Sequence, residues 1–377
     1  MWTLLVFPGL LIWLGIMLVP WRPWRTGESF EWDADVSASD LSDVTALIPA
    51  RNEAAHIEPT LKALTAQGNG LRVVLVDDQS TDGTREIASR LPRSKLEIIA
   101  GTSPPAGWTG KLWALEQGRV RVTTPLTLLL DADIELGRGA LAALREKMRR
   151  EELRFISIMA RLPMEGFWEK LLLPAFVYFF RLLYPFRLSN DPRASRVAAA
   201  AGGCILLETR VLSEIGGFGA LRGAIIDDCA LARLVKDAGH ATWIGLARAI
   251  RSTRRYPALA TIWNMVARSA FSQLEYSSLL LLLATAVLLI AFAVPVAGLA
   301  APEPAAQAIA LATLGLMGLS YSPTLRYYGL SAGWALAMPV IGVLFAAMTW
   351  HSAFRHWLGY GVEWRERRYL GSTSSNG

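Results

Sequence analysis

Apolar and polar positions follow two rhythms along this chain. Residues 2–20 and 278–352 are dominated by apolar side chains. Between them, short runs of β-branched and aliphatic residues alternate with amphipathic stretches. Val44–Pro49 predicts a buried strand, His56–Gln67 a helix, Leu71–Val76 a strand, Gly83–Arg90 a helix and Leu96–Ile99 a strand. Lys111–Gly118 opens another helix, and Leu126–Leu130 is a strand that runs into Asp131. Such alternation predicts an α/β domain, a mostly parallel sheet with helices on both faces. Cys204–Leu207 adds a strand and Cys229–Ala238 a helix whose Leu231, Leu234 and Val235 pack inward.

The apolar runs predict membrane segments. Residues 2–20 have about the length of a span and are followed by Trp21-Arg22-Pro23-Trp24-Arg25. No positive n-region precedes the run and no small-residue cleavage site closes it, so it reads as an uncleaved anchor with its C-terminal end in the cytoplasm. Further spans are predicted over Ser278–Ala300, Ala305–Ser320 and Ala332–Trp350. Phe167–Phe186 is apolar but interrupted by Glu169, Lys170, Arg181 and two prolines, and reads as an interfacial or re-entrant helix. The expected organisation is an anchor over 1–21, a linker over 22–43, the α/β domain over 44–275, membrane segments over 276–352 and a basic tail over 353–377. Three C-terminal spans leave that tail on the far side, against the positive-inside rule. Either one segment is re-entrant or the tail lies flat on the far surface.

Composition sharpens this picture. Of 377 residues, 53% are hydrophobic and 19% charged, too apolar for an ordinary soluble protein and too charged for a pure membrane bundle. The net charge is +6. Arg22, Arg25, Arg248, Arg251, Arg254, Arg255, Arg365, Arg367 and Arg368 lie near the apolar segments, which points to an anionic membrane surface. No nucleic-acid-binding signature is present. The Arg145–Arg154 run is interleaved with glutamates and reads as a solvated helix face. Cys204 and Cys229 lack metal spacing and read as buried free thiols in a reducing compartment. The spans carry almost no ionisable residues, which disfavours a transporter or channel.

Four acidic motifs carry the candidate chemistry, and three of them come directly after runs of β-branched or aliphatic residues. Ile48-Pro49-Ala50-Arg51-Asn52-Glu53, Val76-Asp77-Asp78-Gln79-Ser80-Thr81-Asp82-Gly83-Thr84, Asp131-Ala132-Asp133 and Asp227-Asp228 follow one another along the domain. Open α/β sheets bind ligands at the carboxyl ends of their strands. Asp131 and Asp133, two positions apart on a turn, can face one hard cation; capping of the next helix is the plainer role. Glu53 and Asp78 are pure acceptors suited to ribose hydroxyls and a base N–H, while Glu53 could equally serve a helix start. Lys111 beside helix-start amides suits a phosphate. Adjacent aspartates repel, so Asp227 and Asp228 predict one raised carboxyl.

In their order, these motifs resemble a family 2 glycosyltransferase with a GT-A fold, over about residues 43–275. Gly107-Trp108-Thr109-Gly110-Lys111-x-Trp113-Ala114 and Gly359-Tyr360-Gly361-Val362-Glu363-Trp364 extend the resemblance to the hopanoid-biosynthesis-associated glycosyltransferases. The ceramide glucosyltransferases are more distant.

The resemblance implies an inverting, Mg2+- or Mn2+-dependent transfer of one sugar from a nucleotide diphosphate sugar, with UDP favoured, to a lipid. It implies Asp228 as catalytic base and Asp133 as the more direct metal ligand, with Asp131 on ribose or metal. Pro49, Arg51, Glu53, Asp78 and Lys111 would contact the nucleotide sugar. Asp227, Arg254 and Arg255 would stand at the acceptor or behind these groups. It also implies a multi-pass protein of the cytoplasmic membrane with its catalytic domain in the cytoplasm.

Processive relatives carry Gln-x-x-Arg-Trp where this chain reads Arg251-Ser252-Thr253-Arg254-Arg255-Tyr256, which predicts one sugar per acceptor. A polyprenyl-phosphate glycosyltransferase and a non-catalytic membrane scaffold are the competing readings. A dinucleotide oxidoreductase is disfavoured because no G-x-G-x-x-G follows the first strand.

Overall fold

A computed structural model describes residues 1–33, 39–92, 96–224, 226–360, 362–364 and 367–369. The side chains of the Gly359–Trp364 motif beyond Tyr360, and those of Arg365, Arg367 and Arg368, lie outside the described residues. Two compact units divide the chain: residues 28–163, 188–255 and 362–377 form one, and residues 1–27, 164–187 and 256–361 the other.

The first unit is built on an eight-stranded sheet. Its strands are β1 (Val44–Ala50), β2 (Arg72–Asp77), β3 (Leu96–Ala100), β4 (Leu126–Leu130), β5 (Ile134–Leu136), β6 (Phe155–Arg161), β7 (Cys204–Glu208) and β8 (Thr242–Ser252). Their spatial order is β3-β2-β1-β4-β7-β6-β8-β5. The pairings β3/β2, β2/β1, β1/β4 and β6/β8 are parallel, while β7 and β5 run against their neighbours. All seven residues of β1 are buried, as expected of a strand covered on both faces. One apolar layer includes Ile48, Leu61, Leu128 and Leu144; the opposite one includes Leu47, Val76, Leu112 and Leu231. The described part of 362–377 is a two-stranded antiparallel ladder, β9 (Val362–Trp364) and β10 (Arg367–Tyr369).

Expected elements recur with shifted ends: the helices are Ile57–Thr65, Thr84–Ala88, Gly110–Arg119 and Asp227–Asp237. The Arg145–Arg154 run is only partly solvated. It lies on the helix Ala140–Arg150 and the turn that leads into β6, and Lys147 is buried with its ammonium 4.2 Å from the centre of the Trp243 ring. Cys204 and Cys229 are free and buried, as expected.

The second unit is helical. Ser278–Gly298, Pro304–Tyr327 and Ala332–Trp357 are long and apolar enough to cross a membrane; Trp2–Leu18, at 17 residues, is a shorter apolar helix. The middle span exceeds the expected Ala305–Ser320 at both ends. Pro295 has no N–H, so the carbonyl four residues earlier loses its helical donor. That carbonyl, on Ala291, accepts from Trp13 Nε1 at 2.9 Å, and the helix locally widens into a π turn over Leu289–Ala293.

The segment expected to lie at the interface is a helix, Phe167–Leu183, with Leu172, Leu173, Val177, Tyr178 and Arg181 buried within this unit. Tyr178 shares a 2.8 Å hydrogen bond with Ser320, and Glu169 accepts from the N–H groups of Glu165, Gly166 and Tyr256. The Glu169 charge is thus absorbed by internal partners. Residues 256–275, assigned above to the α/β domain, group with the helical unit, where Trp263 Nε1 donates to His351 Nδ1 at 2.7 Å.

Candidate active site

Three adjacent parallel strands, β2, β1 and β4, end at the same edge of the sheet, and each delivers an acid there. Past β1 the chain turns through Asn52, whose φ of 52° is left-handed, to Glu53. Past β2 it turns through Gln79, with φ of 57°. Non-glycine residues hold that conformation only when their surroundings impose it. Here the two turns are laced together: Asn52 N–H donates to Ser80 Oγ, Thr81 N–H to Asn52 Oδ1, Glu53 N–H to Thr84 Oγ1 and Ala54 N–H to Asp82 Oδ2. Arg51 donates to the carbonyls of Asp78, at 2.6 Å, and Gln79, at 3.2 Å. Asp78 is fully buried and Glu53 nearly so.

The antiparallel strand β7 begins at this edge because Cys204 pairs with Leu130. Gly202 and Gly203 therefore lie beside Asp131, whose N–H donates to the Gly203 carbonyl at 3.0 Å. Gly202 N–H donates to Asp228 Oδ2 at 2.7 Å, and Cys229 N–H to Asp228 Oδ1 at 2.8 Å. The Gly202 contact docks the start of the helix Asp227–Asp237 against the strand ends, while the Cys229 contact lies within the helix's own first turn. A Cβ on Gly202 would stand 3.2 Å from Lys111 Nζ and 3.3 Å from Asp228 Oδ2. A residue larger than glycine at this position would crowd both the lysine and the aspartate.

Lys111 is the second residue of the helix Gly110–Arg119, whose first turn Thr109 caps by accepting from Leu112 N–H. Its ammonium lies 2.9 Å from Asp131 Oδ1. Burial pulls the Lys111 pKa down, but the charges of Asp131, Asp227 and Asp228 more than reverse this, and the net direction is up. Burial pushes the Asp131 carboxyl up, opposed by Lys111 and reinforced by Asp133. Burial, then the charge of Asp227, pushes Asp228 up to about 6, against Lys111 and the two N–H donors. Pro49, Lys111, Asp131, Asp227 and Asp228 line one cleft, with apolar walls from Leu112, Leu115, Phe218 and Leu231.

A second cluster sits at the end of β8. The Thr253 N–H donates to the Asp133 carbonyl, and the Ser252 hydroxyl to Asp133 Oδ2 at 3.3 Å. Arg254 spans two acids: Nε donates to Asp133 Oδ2 at 2.8 Å, and Nη2 to Glu53 Oε2 and Oε1 at 2.7 and 3.0 Å. Arg255 is exposed. Asp131 and Asp133 are thus each paired to a different cation. Glu53 sends its side chain to Arg254 while its carbonyl accepts from the first turn of the following helix.

Sequence reasoning singled out neither Gly202 nor the Ser252–Thr253 clasp on Asp133. The Gly202-Gly203 pair before a strand was the available signal for the first; nothing local marked the second.

Among the described residues no three Asp, Glu, His or Cys side chains are close enough to form a metal cage. Two aspartates can still hold a hard cation that takes its remaining oxygens from a diphosphate and water, as Mg2+ usually does. The donor chemistry of Asp131 and Asp133 fits that arrangement, and each of them already attracts a positive group.

A mostly parallel sheet with helices on both faces and acids along one strand edge is a fold of the GT-A type. The description Glycosyl transferase family 2 matches residues 45–216 of this chain. The chain is 30% identical over 124 residues, 33% of its own length, to the 4,4'-diaponeurosporenoate glycosyltransferase of Staphylococcus haemolyticus. It is 47% identical over 73 residues to the succinoglycan biosynthesis protein ExoA of Rhizobium meliloti, which is 18% of this chain. The matches span 33% and 22% of those relatives' own lengths. A mannosyltransferase from Pyrobaculum calidifontis, solved with GDP-Man and Mn2+, superposes over 93% of this chain and 99% of its own, with a TM-score of 0.58 at 19% identity. That likeness is one of fold.

Proposed function

We propose that this protein is a membrane-attached glycosyltransferase that moves one sugar from a nucleoside diphosphate sugar to a lipid hydroxyl, with inversion at the anomeric carbon. The observation that carries the reading is the cleft itself, where Asp228, raised toward neutrality, shares a wall with Lys111 and Asp131. The apolar helices supply the membrane setting.

In this reading Asp228 accepts the proton of the acceptor hydroxyl as that oxygen bonds to the anomeric carbon. The bond from that carbon to the diphosphate breaks on the opposite side, and the nucleoside diphosphate leaves. Lys111 offers an ammonium to the diphosphate from a helix start. Glu53 and Asp78 accept from the nucleoside, and Pro49 and Arg51 shape the loop that carries them. Asp227 keeps Asp228 basic through its charge. Asp131 and Asp133 would hold Mg2+ or Mn2+, which supplies charge neutralisation for the leaving group.

Resemblance favours UDP as carrier and a hopanoid as acceptor, in the cytoplasmic membrane with the catalytic domain facing the cytoplasm. The mannosyltransferase of similar fold is described with GDP-Man, and one relative is named for a 4,4'-diaponeurosporenoate acceptor, so both belong in a substrate panel.

One purified preparation with labelled donor and Mn2+, offered hopanoid alcohols, other lipid alcohols, 4,4'-diaponeurosporenoate and polyprenyl phosphate, tests the acceptor role. Label is expected in a neutral lipid glycoside. Transfer only to polyprenyl phosphate or to the carboxylate of 4,4'-diaponeurosporenoate, neither of which needs deprotonation, would remove the need for Asp228 as base.

A further inference from the structure

Arg254 holds two acids with different assigned tasks. Its guanidinium donates to both oxygens of Glu53 and to Oδ2 of Asp133, and both carboxylates are largely buried. Charge-assisted contacts of this kind are short and strong, and a fork of donors is what lets one side chain serve two acceptors. The neighbouring Ser252 and Thr253 also engage Asp133, so the end of β8 is fastened onto one of the two candidate metal ligands.

We infer that Arg254 is a resident counter-cation that competes with the divalent metal for Asp133 and couples metal binding to nucleoside binding. The inference rests on the assignment of Asp133 to metal and Glu53 to nucleoside made above. A metal ion that takes Asp133 Oδ2 must displace Arg254 Nε from it. A nucleoside that donates to Glu53 must weaken the hold of Glu53 on Arg254 Nη2. Each ligand therefore removes part of what keeps the guanidinium in place, and each eases the entry of the other. Linkage makes that coupling reciprocal. Arg254 is a positioning residue in this scheme: it acts on the ligand sites through Glu53 and Asp133.

The test is Mn2+ binding to the full-length, detergent-purified protein, read from the electron paramagnetic resonance of free Mn2+, without turnover. Uridine and guanosine, which have no phosphates, serve as the nucleoside probes, so coupling cannot pass through a metal–phosphate bond. In the wild type, saturating nucleoside should tighten Mn2+ binding. In Arg254→Gln, Mn2+ alone should bind roughly tenfold more tightly, the scale of one hydrogen bond to a charged group, and the nucleoside effect should disappear. Arg254→Lys keeps a charge without the fork and should fall between the two; it also preserves the test should Arg254→Gln fail to fold. A merely structural arginine would give the opposite sign, with weaker Mn2+ binding in both variants.

Unchanged or weakened Mn2+ binding in the folded variants overturns the inference, provided Asp133→Asn still abolishes binding in the wild-type background. If Asp133→Asn leaves Mn2+ binding intact, the metal assignment falls, and this inference with it.

Discussion

Asp228 carries the most specific expectations. Its raised carboxyl predicts that kcat/KM climbs with pH through about 6 and then levels, since the base must be ionised. The stability sign is opposite. A folded-state pKa above the unfolded value means that the Asp228 contribution is full below about pH 4, the ordinary range for Asp, and is lost as pH rises through about 6. Asp228→Asn should lower kcat by roughly 10²–10⁴-fold in protein that remains folded; an unchanged kcat in folded protein would assign the base elsewhere. Gly202→Ala tests the close approach of Lys111 and Asp228 to the Gly202 backbone. Its Cβ intrudes on both charged groups, so activity should drop about tenfold or more, the cost of a misplaced reacting group, and retained activity would mean that the contact tolerates displacement. Asp78 and Asp131 were legible because each directly follows an aliphatic strand; Asp228 was marked only by its place beside Asp227 at a helix start and by the family resemblance. The Arg254–Glu53 pair was not, because its partners are 201 positions apart and only the sheet brings them together.

Elements explain why the site stays assembled. The helix Gly110–Arg119, which carries Lys111, lies against β1 and β2 at Gly118, where a Cβ would strike Leu47 and Val76. Gly118→Ala should therefore destabilise the protein by about 1–3 kcal/mol through overpacking, measured by chemical denaturation with Gly315→Ala, which meets nothing nearby, as the control. Equal effects of the two would place the contact elsewhere. Strands β1 to β4 were readable from continuous aliphatic runs. β8 was harder to see, since exposed Arg248, Ala249 and Arg251 interrupt its buried positions. β5 has only three residues, too few for any periodicity. In the helix Phe167–Leu183, the Glu169 charge that interrupts the apolar run is met inside the helical unit by three backbone N–H groups.

At the scale of the whole molecule, the division into an α/β unit and a helical unit follows composition only in part. Residues 164–187 and 256–275 sit within the α/β stretch of the sequence yet group with the membrane helices, because their apolar faces pack there. This organisation predicts that the protein stays in the membrane fraction after alkaline carbonate extraction and leaves it only with detergent; release by carbonate would contradict the spanning helices. Sugar transfer to a lipid is read out by nucleotide release from a panel of UDP- and GDP-sugars. Detergent-purified protein, Mn2+ and a total lipid extract are supplied, with Asp228→Asn alongside. Release from one donor, dependent on lipid and lost in the variant, is the predicted result. A folded protein that releases nucleotide from none of them, or releases it equally well in Asp228→Asn, would contradict the account.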